Sequence, residues 1–173
     1  MHWLLPRAVF ERQKGSRNRA AMRRLVARGT EPGVLAYLND EPVGWCAVAP
    51  REQYARLERA RVLRRIDGAP VWSIVCLFVA PHHRRHGVSI ALIEGAAQFA
   101  ASRGATIVEG YPVDAGEREM PPVFAWTGTA AAFAAAGFAE AARGSPTRPI
   151  MRRHFARGRA RTPQGHRSGP RAR

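Results

Sequence analysis

The residues best suited to chemistry form one basic segment, Arg84-Arg85-His86-Gly87-Val88-Ser89, which lies between two apolar runs. The first run, 71–79, is rich in Val, Ile, Trp and Phe and predicts a buried strand that stops at Ala80-Pro81. The second run, 88–102, is apolar on one face and mostly apolar on the other, which predicts a buried helix. Because N–H groups at the start of a helix attract anions, this order of elements predicts a phosphate site.

Three residues of the segment fit that chemistry. Gly87 allows close approach of the backbone, Ser89 is small, and the Arg84 guanidinium offers a planar fork for phosphate oxygens. The sequence has neither the Gly-Lys-Ser or Gly-Lys-Thr of a Walker loop nor a Gly-x-Gly-x-x-Gly fingerprint. The segment therefore indicates a different kind of phosphate-binding loop.

The segment and its flanks resemble the GNAT superfamily of coenzyme-A-dependent N-acetyltransferases. The family hallmark, Gln/Arg-x-x-Gly-x-Gly/Ala, follows a strand that ends in a Val-x-Pro-like step and precedes a long helix. Here Val79-Ala80-Pro81 precedes Arg84-x-x-Gly87-x-Ser89. Val43-Gly44-Trp45 matches a common step of the third strand, and 133–138 (Phe-Ala-Ala-Ala-Gly-Phe) stands where the family usually has Tyr-x-x-x-Gly-Phe. The resemblance covers roughly residues 33–155.

The resemblance implies a fold and an activity. The fold is a mixed α/β domain with a largely antiparallel sheet of six to seven strands, splayed in the middle, and helices on both faces. The activity is direct transfer of an acetyl group from acetyl-CoA to an amine within a ternary complex, with no metal. The backbone N–H of Val79 would polarise the thioester carbonyl. The implied acetyl-CoA contacts are Leu77, Phe78, Val79, Arg84, Arg85, His86, Gly87, Val88, Ser89 and Phe133.

Candidate catalytic groups follow the helix. Glu109 lies mid-way along a predicted strand, 106–112, on the same face as Tyr111, and a carboxylate there is costly unless it is paired or useful. By resemblance this strand flanks the thioester, so Glu109 is predicted to be the general base that deprotonates the acceptor amine. An ion pair between Glu109 and an arginine is an equal alternative. Asp114, just beyond the strand in the loop on the acceptor side, is the alternative base or an anion that binds the amine.

Phe133 replaces the tyrosine that often protonates the departing thiolate in this family. Phenylalanine cannot donate a proton, but a thiol with a pKa of about 8–9 is a fair leaving group near neutral pH. Solvent or Tyr111 could supply the proton instead.

The charge indicates a second candidate function. Twenty-eight basic residues against thirteen acidic ones give a net charge of +15, which suits a polyanionic partner. The alternative is therefore a catalytically inactive GNAT-like basic protein that binds nucleic acid or acyl-CoA, with steep salt dependence in the nucleic-acid case. Residues 1–155 are predicted to form the domain, and the arginine-rich residues 156–173 to be a disordered tail through which nucleic acid could bind.

The remaining patterns predict the supporting elements. An amphipathic helix with a solvated outer face is predicted over 51–65, and the usual first strand of the family is not evident before Pro6. A late helix is predicted from Pro122 to Ala136, with Trp126 in a pocket wall. The other predicted elements are helices 6–14 and 17–28, a hairpin of strands 34–38 and 43–49, and final strands 138–142 and 149–155.

Several classes of protein are excluded. No apolar run approaches 18 residues, as a membrane span would need, and the N-terminal residues are too short and too early charged for a signal peptide. Two cysteines do not make a disulfide scaffold. The arginines among His82, His83 and His86 would repel a metal ion. We expect a cytoplasmic protein, monomeric or homodimeric, without a membrane partner.

Overall fold

The structure, a computed structural model, describes residues 2–114, 116 and 126–156. Its helices and strands follow one another in this order: α1 (Arg7–Arg12), α2 (Ser16–Ala27), β1 (Gly33–Leu38), β2 (Glu41–Pro50), α3 (Ala55–Glu58), β3 (Trp72–Val79), α4 (Val88–Ser102), β4 (Ile107–Gly110), α5 (Ala130–Ala135), β5 (Ala139–Ser145) and β6 (Arg148–His154). None of the helices in this part of the chain is long and apolar enough to cross a membrane.

The six strands form one mixed sheet in the order β1-β2-β3-β4-β6-β5. Only β3 and β4 are parallel, because α4 carries the chain back across the sheet between them; the other four neighbouring pairs are antiparallel. The predicted mixed α/β class and mostly antiparallel sheet are confirmed. Within the described ranges no strand precedes Gly33.

The sheet opens between its two central strands. β3 and β4 share only three residue pairs, from Trp72 with Val108 to Ile74 with Gly110. Beyond Ile74, β3 continues to Val79 with β2 as its partner, and a register shift at Ala47/Val48 leaves Val75 without an opposite residue. Among the described residues, the last half of β3 therefore has no strand partner on the side that β4 would occupy.

Two apolar clusters cover the two faces of the sheet. On one face α4 buries an alanine-rich surface, which lets the helix lie close to the strands; its buried residues are Leu92, Ile93, Ala96, Ala97 and Ala100. On the other face, Tyr54, Leu57 and Leu63 pack against Val75 and Ile150. The expectation of helices on both faces is confirmed, and this second cluster is built by the chain between β2 and β3.

The helix predicted over 51–65 is wrong. Arg51–Gln53 form a single 3₁₀ turn, α3 is only four residues long, and the chain then runs irregularly to β3. The solvated outer face is also wrong at its first residue, because Arg51 is 1% exposed. Charged and apolar residues alternate here because Arg51 is buried together with Leu57 and Leu63. The Arg51 guanidinium lies against carboxylate and hydroxyl groups.

The helix predicted over 122–136 is not continuous in the residues that the structure describes. Trp126 and Thr127 form a 3₁₀ turn, Gly128 has a φ of 85°, and α5 starts at Ala130. Thr129 caps it by accepting a hydrogen bond at Oγ1 from the Ala132 N–H, 3.2 Å away. The first four residues of the predicted helix (122–125) and the predicted disordered tail from 157 onward lie outside the described residues.

Candidate active site

A cleft of about 380 Å³ lies where β3 ends and α4 begins. Seven of the predicted acetyl-CoA contacts line it, namely Leu77, Phe78, Val79, Arg84, Arg85, Val88 and Ser89. Sequence reasoning missed His83, Gly128, Thr129 and Ala132, which also line it, whereas Trp126 is a wall residue as predicted. The late turn and α5 supply four of the twelve lining residues, and no local pattern places them beside α4.

The mouth of this cleft suits an anion. Gly87 takes the N-cap position of α4 with a φ of 77°, so the first N–H groups of a 15-residue helix point outward without partners inside the helix. Arg84 donates from Nε to the Val79 carbonyl oxygen over 3.2 Å, which ties its side chain to the strand end. Among the described residues, neither Arg84 nor Arg85 pairs with a carboxylate. Their charge is therefore available to a ligand.

The inner wall of the cleft rests on Phe133. This ring is fully buried, makes an edge-to-face contact with Phe138 at 5.1 Å, and lies so close to Gly128 that a Cβ there would stand 2.8 Å from it. Gly110 is also in contact with Phe133. Phe133 supports the wall from behind and is not among the residues that line the cleft; His86 and Gly87 are also outside the lining.

The model of the acetyltransferase (GNAT) family matches residues 1–120 of the sequence. The chain belongs to the GNAT family. The resemblance carried by Arg84-x-x-Gly87-x-Ser89 is confirmed. A search of curated protein sequences found no match.

Solved structures share the GNAT fold. A protein assigned to the GNAT family from Desulfovibrio desulfuricans is 18% identical, with a TM-score of 0.51 over 88% of this chain and 96% of that one. A ribosomal-protein-alanine N-acetyltransferase from Brucella melitensis is 18% identical, with a TM-score of 0.50 over 80% and 77%. The aminoglycoside acetyltransferase AAC(6')-Ib, in complex with paromomycin and acetyl-CoA, is 16% identical, with a TM-score of 0.51 over 88% and 84%. At these identities the likeness establishes the fold alone.

Glu109, the predicted base of this GNAT domain, is 1% exposed and held by three side chains. Arg152 donates from Nε to Oε1 over 2.8 Å, and the Tyr111 hydroxyl donates to Oε2 over 2.6 Å. Arg51 approaches Oε2 from Nη1 at 3.4 Å. Glu109 therefore forms the ion pair with arginine that was predicted as the alternative to a general base. The general-base role stays a prediction, and Glu109 lines neither the cleft nor the cavity described below.

Tyr111, the other proton donor considered, belongs to the same cluster. Its oxygen lies 2.8 Å from Arg51 Nη1, which donates to it, and 2.8 Å from Ser73 Oγ. Burial and the neighbouring Glu109 carboxylate raise the pKa of Tyr111. The phenol therefore stays protonated near neutral pH and is a weak acid.

Asp114, the alternative base, is paired with an arginine. Arg143 donates from Nη1 to Oδ2 over 2.9 Å, and the Gly116 N–H donates to Oδ1 over 3.2 Å. The Arg143 guanidinium lowers the pKa of Asp114. The carboxylate is thus ionised at neutral pH, and its basicity is reduced by the partner that holds it.

A second cavity, of about 140 Å³, lies on the opposite face of the sheet from α4. Val75 and Cys76 of β3 line it, immediately before the three residues of β3 that line the cleft. The remaining lining comes from the N-terminal turn, α2, the loop before β1, β2 and the turn after it: His2, Trp3, Leu4, Met22, Leu25, Thr30, Pro32, Trp45, Ala47, Ala49, Gln53 and Tyr54. Burial raises the pKa of Cys76, so its thiol is not an activated nucleophile.

Three aromatic rings connect the two cavities. Trp126 of the cleft lies 5.2 Å from His2 and 5.7 Å from Trp3, between ring centroids, and both of those line the second cavity. The Trp3 indole donates from Nε1 to the Val75 carbonyl oxygen over 2.8 Å, which fixes the ring at the bulge of β3. Burial and the nearby Arg56 lower the pKa of His2, so its imidazole is neutral at pH 7.

The histidines of the basic segment do not gather other metal ligands. Within residues 2–114, 116 and 126–156, no group of three or more His, Cys, Asp and Glu side chains is placed to hold a metal ion. His83 lines the cleft, whereas His82 and His86 are exposed.

Proposed function

We propose that this GNAT protein transfers an acetyl group from acetyl-CoA to an amine. The observation that carries the proposal is the cleft, because it joins an unpaired basic helix terminus to the free half of a strand at the opening of the sheet. The basic start of α4 suits a diphosphate, and the free half of β3 suits an extended thioester arm.

The cleft residues fit the parts of acetyl-CoA in order. The N–H groups at the start of α4, with Arg84 and Arg85, would hold the diphosphate. The arm would lie beside Leu77 and Phe78, where β3 has no β4 neighbour. The backbone N–H of Val79 is the proposed donor to the thioester carbonyl oxygen.

The proposed reaction is a direct displacement. The lone pair of the neutral amine forms the new C–N bond at the thioester carbon, and the C–S bond breaks to release the CoA thiolate. The nitrogen loses one proton and the thiolate gains one. Because Glu109 and Asp114 are held by arginines and Tyr111 is a weak acid, we propose that both protons exchange with water.

The pH dependence tests this proton route. With water as the acceptor, kcat/KM for an alkylamine rises about tenfold per pH unit up to the pKa of the amine, near 10, because only the neutral amine reacts. The measurement is thiol release at saturating acetyl-CoA between pH 6.5 and 10, with the fold followed by circular dichroism as a control. A plateau with an inflection well below the amine's own pKa would show that a protein base acts, and would favour Glu109 or Asp114.

Restoring the family tyrosine at position 133 is expected to destabilise the protein. The Phe133 ring is fully buried against Gly110 and Gly128, so the added hydroxyl of Phe133→Tyr loses water without a prepared partner. A buried unsatisfied hydroxyl costs about 1–3 kcal/mol, measured here by urea unfolding. The matched control is Phe78→Tyr, at a side chain that is 55% exposed. A Phe133→Tyr variant of unchanged stability and higher turnover would instead show that the hydroxyl reaches the thiolate.

The deciding experiment for the proposed function has two parts. Calorimetry measures acetyl-CoA binding, and a thiol reagent measures CoA release with a panel of amines. We expect binding in the micromolar range, about −8 kcal/mol, and release that requires an amine. Binding without release for every amine would favour the catalytically inactive alternative, and absence of binding would overturn both.

A further inference from the structure

We propose that the second cavity holds the acceptor and selects a neutral primary amine carried on a single aromatic ring. The inference rests on the proposed acetyl transfer and adds the substrate class. Its observations are the chemistry of the lining, the size of the cavity and its position on β3.

The described residues that line the cavity are mostly apolar, and none of them is an acid, a lysine or an arginine. Trp3, Trp45 and Tyr54 present ring surfaces, and Met22 and Leu25 of α2 add flexible aliphatic ones. Polar groups in the lining come from Thr30, Gln53 and His2, and from the hydroxyl and N–H groups of the aromatic residues; His2 is neutral at pH 7. Among the residues that the structure describes, none that lines the cavity carries a carboxylate. Such walls favour an aromatic group by burial and ring contacts.

The volume fits one ring. An apolar protein cavity of about 150 Å³ holds benzene, and the cavity here measures about 140 Å³. A fused two-ring group or a peptide side chain with its backbone is larger than this space. A one-ring amine fills it and leaves the amino group outside the apolar part.

The position of the cavity directs the amine toward the thioester. Val75 and Cys76 line the cavity, and Leu77 begins the cleft on the same strand. Successive residues of a strand are about 3.3 Å apart, so Cys76 and Val79 are separated by about 10 Å. A two-carbon link between ring and nitrogen spans part of that distance, and the His2, Trp3 and Trp126 rings mark the place where cavity and cleft meet.

The same lining disfavours polycationic acceptors. A buried ammonium requires a counter-charge, and the described part of the cavity wall has no carboxylate to provide one. The net charge of +15 further repels aminoglycosides and polyamines in solution. Although several structural neighbours are aminoglycoside acetyltransferases, the described lining of the cavity here favours a neutral amine.

The test compares amines at about pH 9, where a larger share of each is neutral than at pH 7. The panel is 2-phenylethylamine, tryptamine, propylamine, kanamycin and a lysine peptide, with thiol release as the readout. We expect kcat/KM for 2-phenylethylamine to exceed that for each of the others by about 10- to 100-fold. Binding is measured separately from tryptophan fluorescence with 2-phenylethanol, which keeps the ring and lacks the amine.

Two variants change the cavity in opposite ways. Trp45→Ala enlarges it and is expected to move the preference from 2-phenylethylamine to tryptamine. Ala47→Leu fills it and is expected to abolish binding of 2-phenylethanol while acetyl-CoA still binds. The control is Tyr37→Ala on β1, whose side chain is 60% exposed and lines neither cavity. If Ala47→Leu does not fold, the Trp45→Ala variant and the fluorescence titration of the wild type still test whether the cavity binds the aromatic ring.

The outcomes separate the two proposals. CoA release with kanamycin or the lysine peptide and not with 2-phenylethylamine overturns the aromatic acceptor and leaves acetyl transfer intact. Acetyl-CoA binding without any binding of 2-phenylethanol also overturns it. Binding of 2-phenylethanol that Trp45→Ala weakens, in a protein that does not bind acetyl-CoA, supports the ring site and overturns the transferase.

Discussion

Gly87→Glu is expected to abolish acetyl-CoA binding, with a rise in Kd of at least about 100-fold. Gly87 has a φ of 77°, where a side chain is strained, and it occupies the N-cap of α4. The new carboxylate would stand where the diphosphate is proposed to bind and would repel it. Calorimetry with acetyl-CoA measures the loss.

The matched control for that variant is Gly68→Glu. It adds the same charge at an exposed glycine that has free space around it and no positive φ. Affinity in this control is expected to stay within about twofold of the wild type, since exposed charges this far from the cleft are largely screened. Equal binding by the Gly87→Glu variant would mean that the diphosphate does not lie at the start of α4.

Glu109→Gln is expected to cost about 1–3 kcal/mol of unfolding free energy, because it removes the buried carboxylate that two guanidinium groups share and leaves each of them with one other acidic partner. Arg51 is 1% exposed and Arg152 is 9% exposed, and both point at Glu109. Arg152 retains Asp67, whose pKa it lowers to about 2, whereas Arg51 keeps Glu58 at the edge of the cluster. Urea unfolding at pH 7 measures the difference.

The control for the buried cluster is Glu140→Gln, which breaks an exposed ion pair with Arg143. It is expected to change stability by less than about 1 kcal/mol. A Glu109→Gln variant with the stability of the wild type and a turnover lowered by about 10²–10⁴-fold would instead establish Glu109 as the general base. The two roles of Glu109 therefore give opposite results in the same pair of measurements.

The central unit of the fold could be predicted from local sequence. The strand predicted over 71–79 is β3 (Trp72–Val79), and the helix predicted over 88–102 is α4 (Val88–Ser102). Both predictions succeed because long apolar runs are bounded by Pro81 and Gly87, whose backbone preferences do not depend on distant residues. Most of the residues that line the cleft lie in this unit, so most of the cleft could also be predicted from local sequence.

The parts that failed depend on distant partners. The sequence predicts that the charged residues after β2 face solvent. This prediction fails at Arg51 because its partner Glu109 lies 58 residues away along the chain and is brought close only by folding. The second cavity combines the N-terminal turn, α2, β2 and β3, and no pattern along the sequence joins them. The start of α5 was missed because the Gly128 turn interrupts a stretch whose alanines favour a helix.

The sharing of β3 between the cleft and the cavity has a consequence for how this protein can change. The residues proposed to hold acetyl-CoA lie on the end of β3, the loop after it and the start of α4, whereas twelve of the fourteen described residues of the cavity wall precede β3 in the chain. Substitutions at Met22, Trp45 or Ala47 can therefore alter the accepted amine without touching the donor site. In the proposed reaction the acceptor site could therefore vary while the donor site stays constant, and a library confined to those positions would explore acceptors at little risk to acetyl-CoA binding.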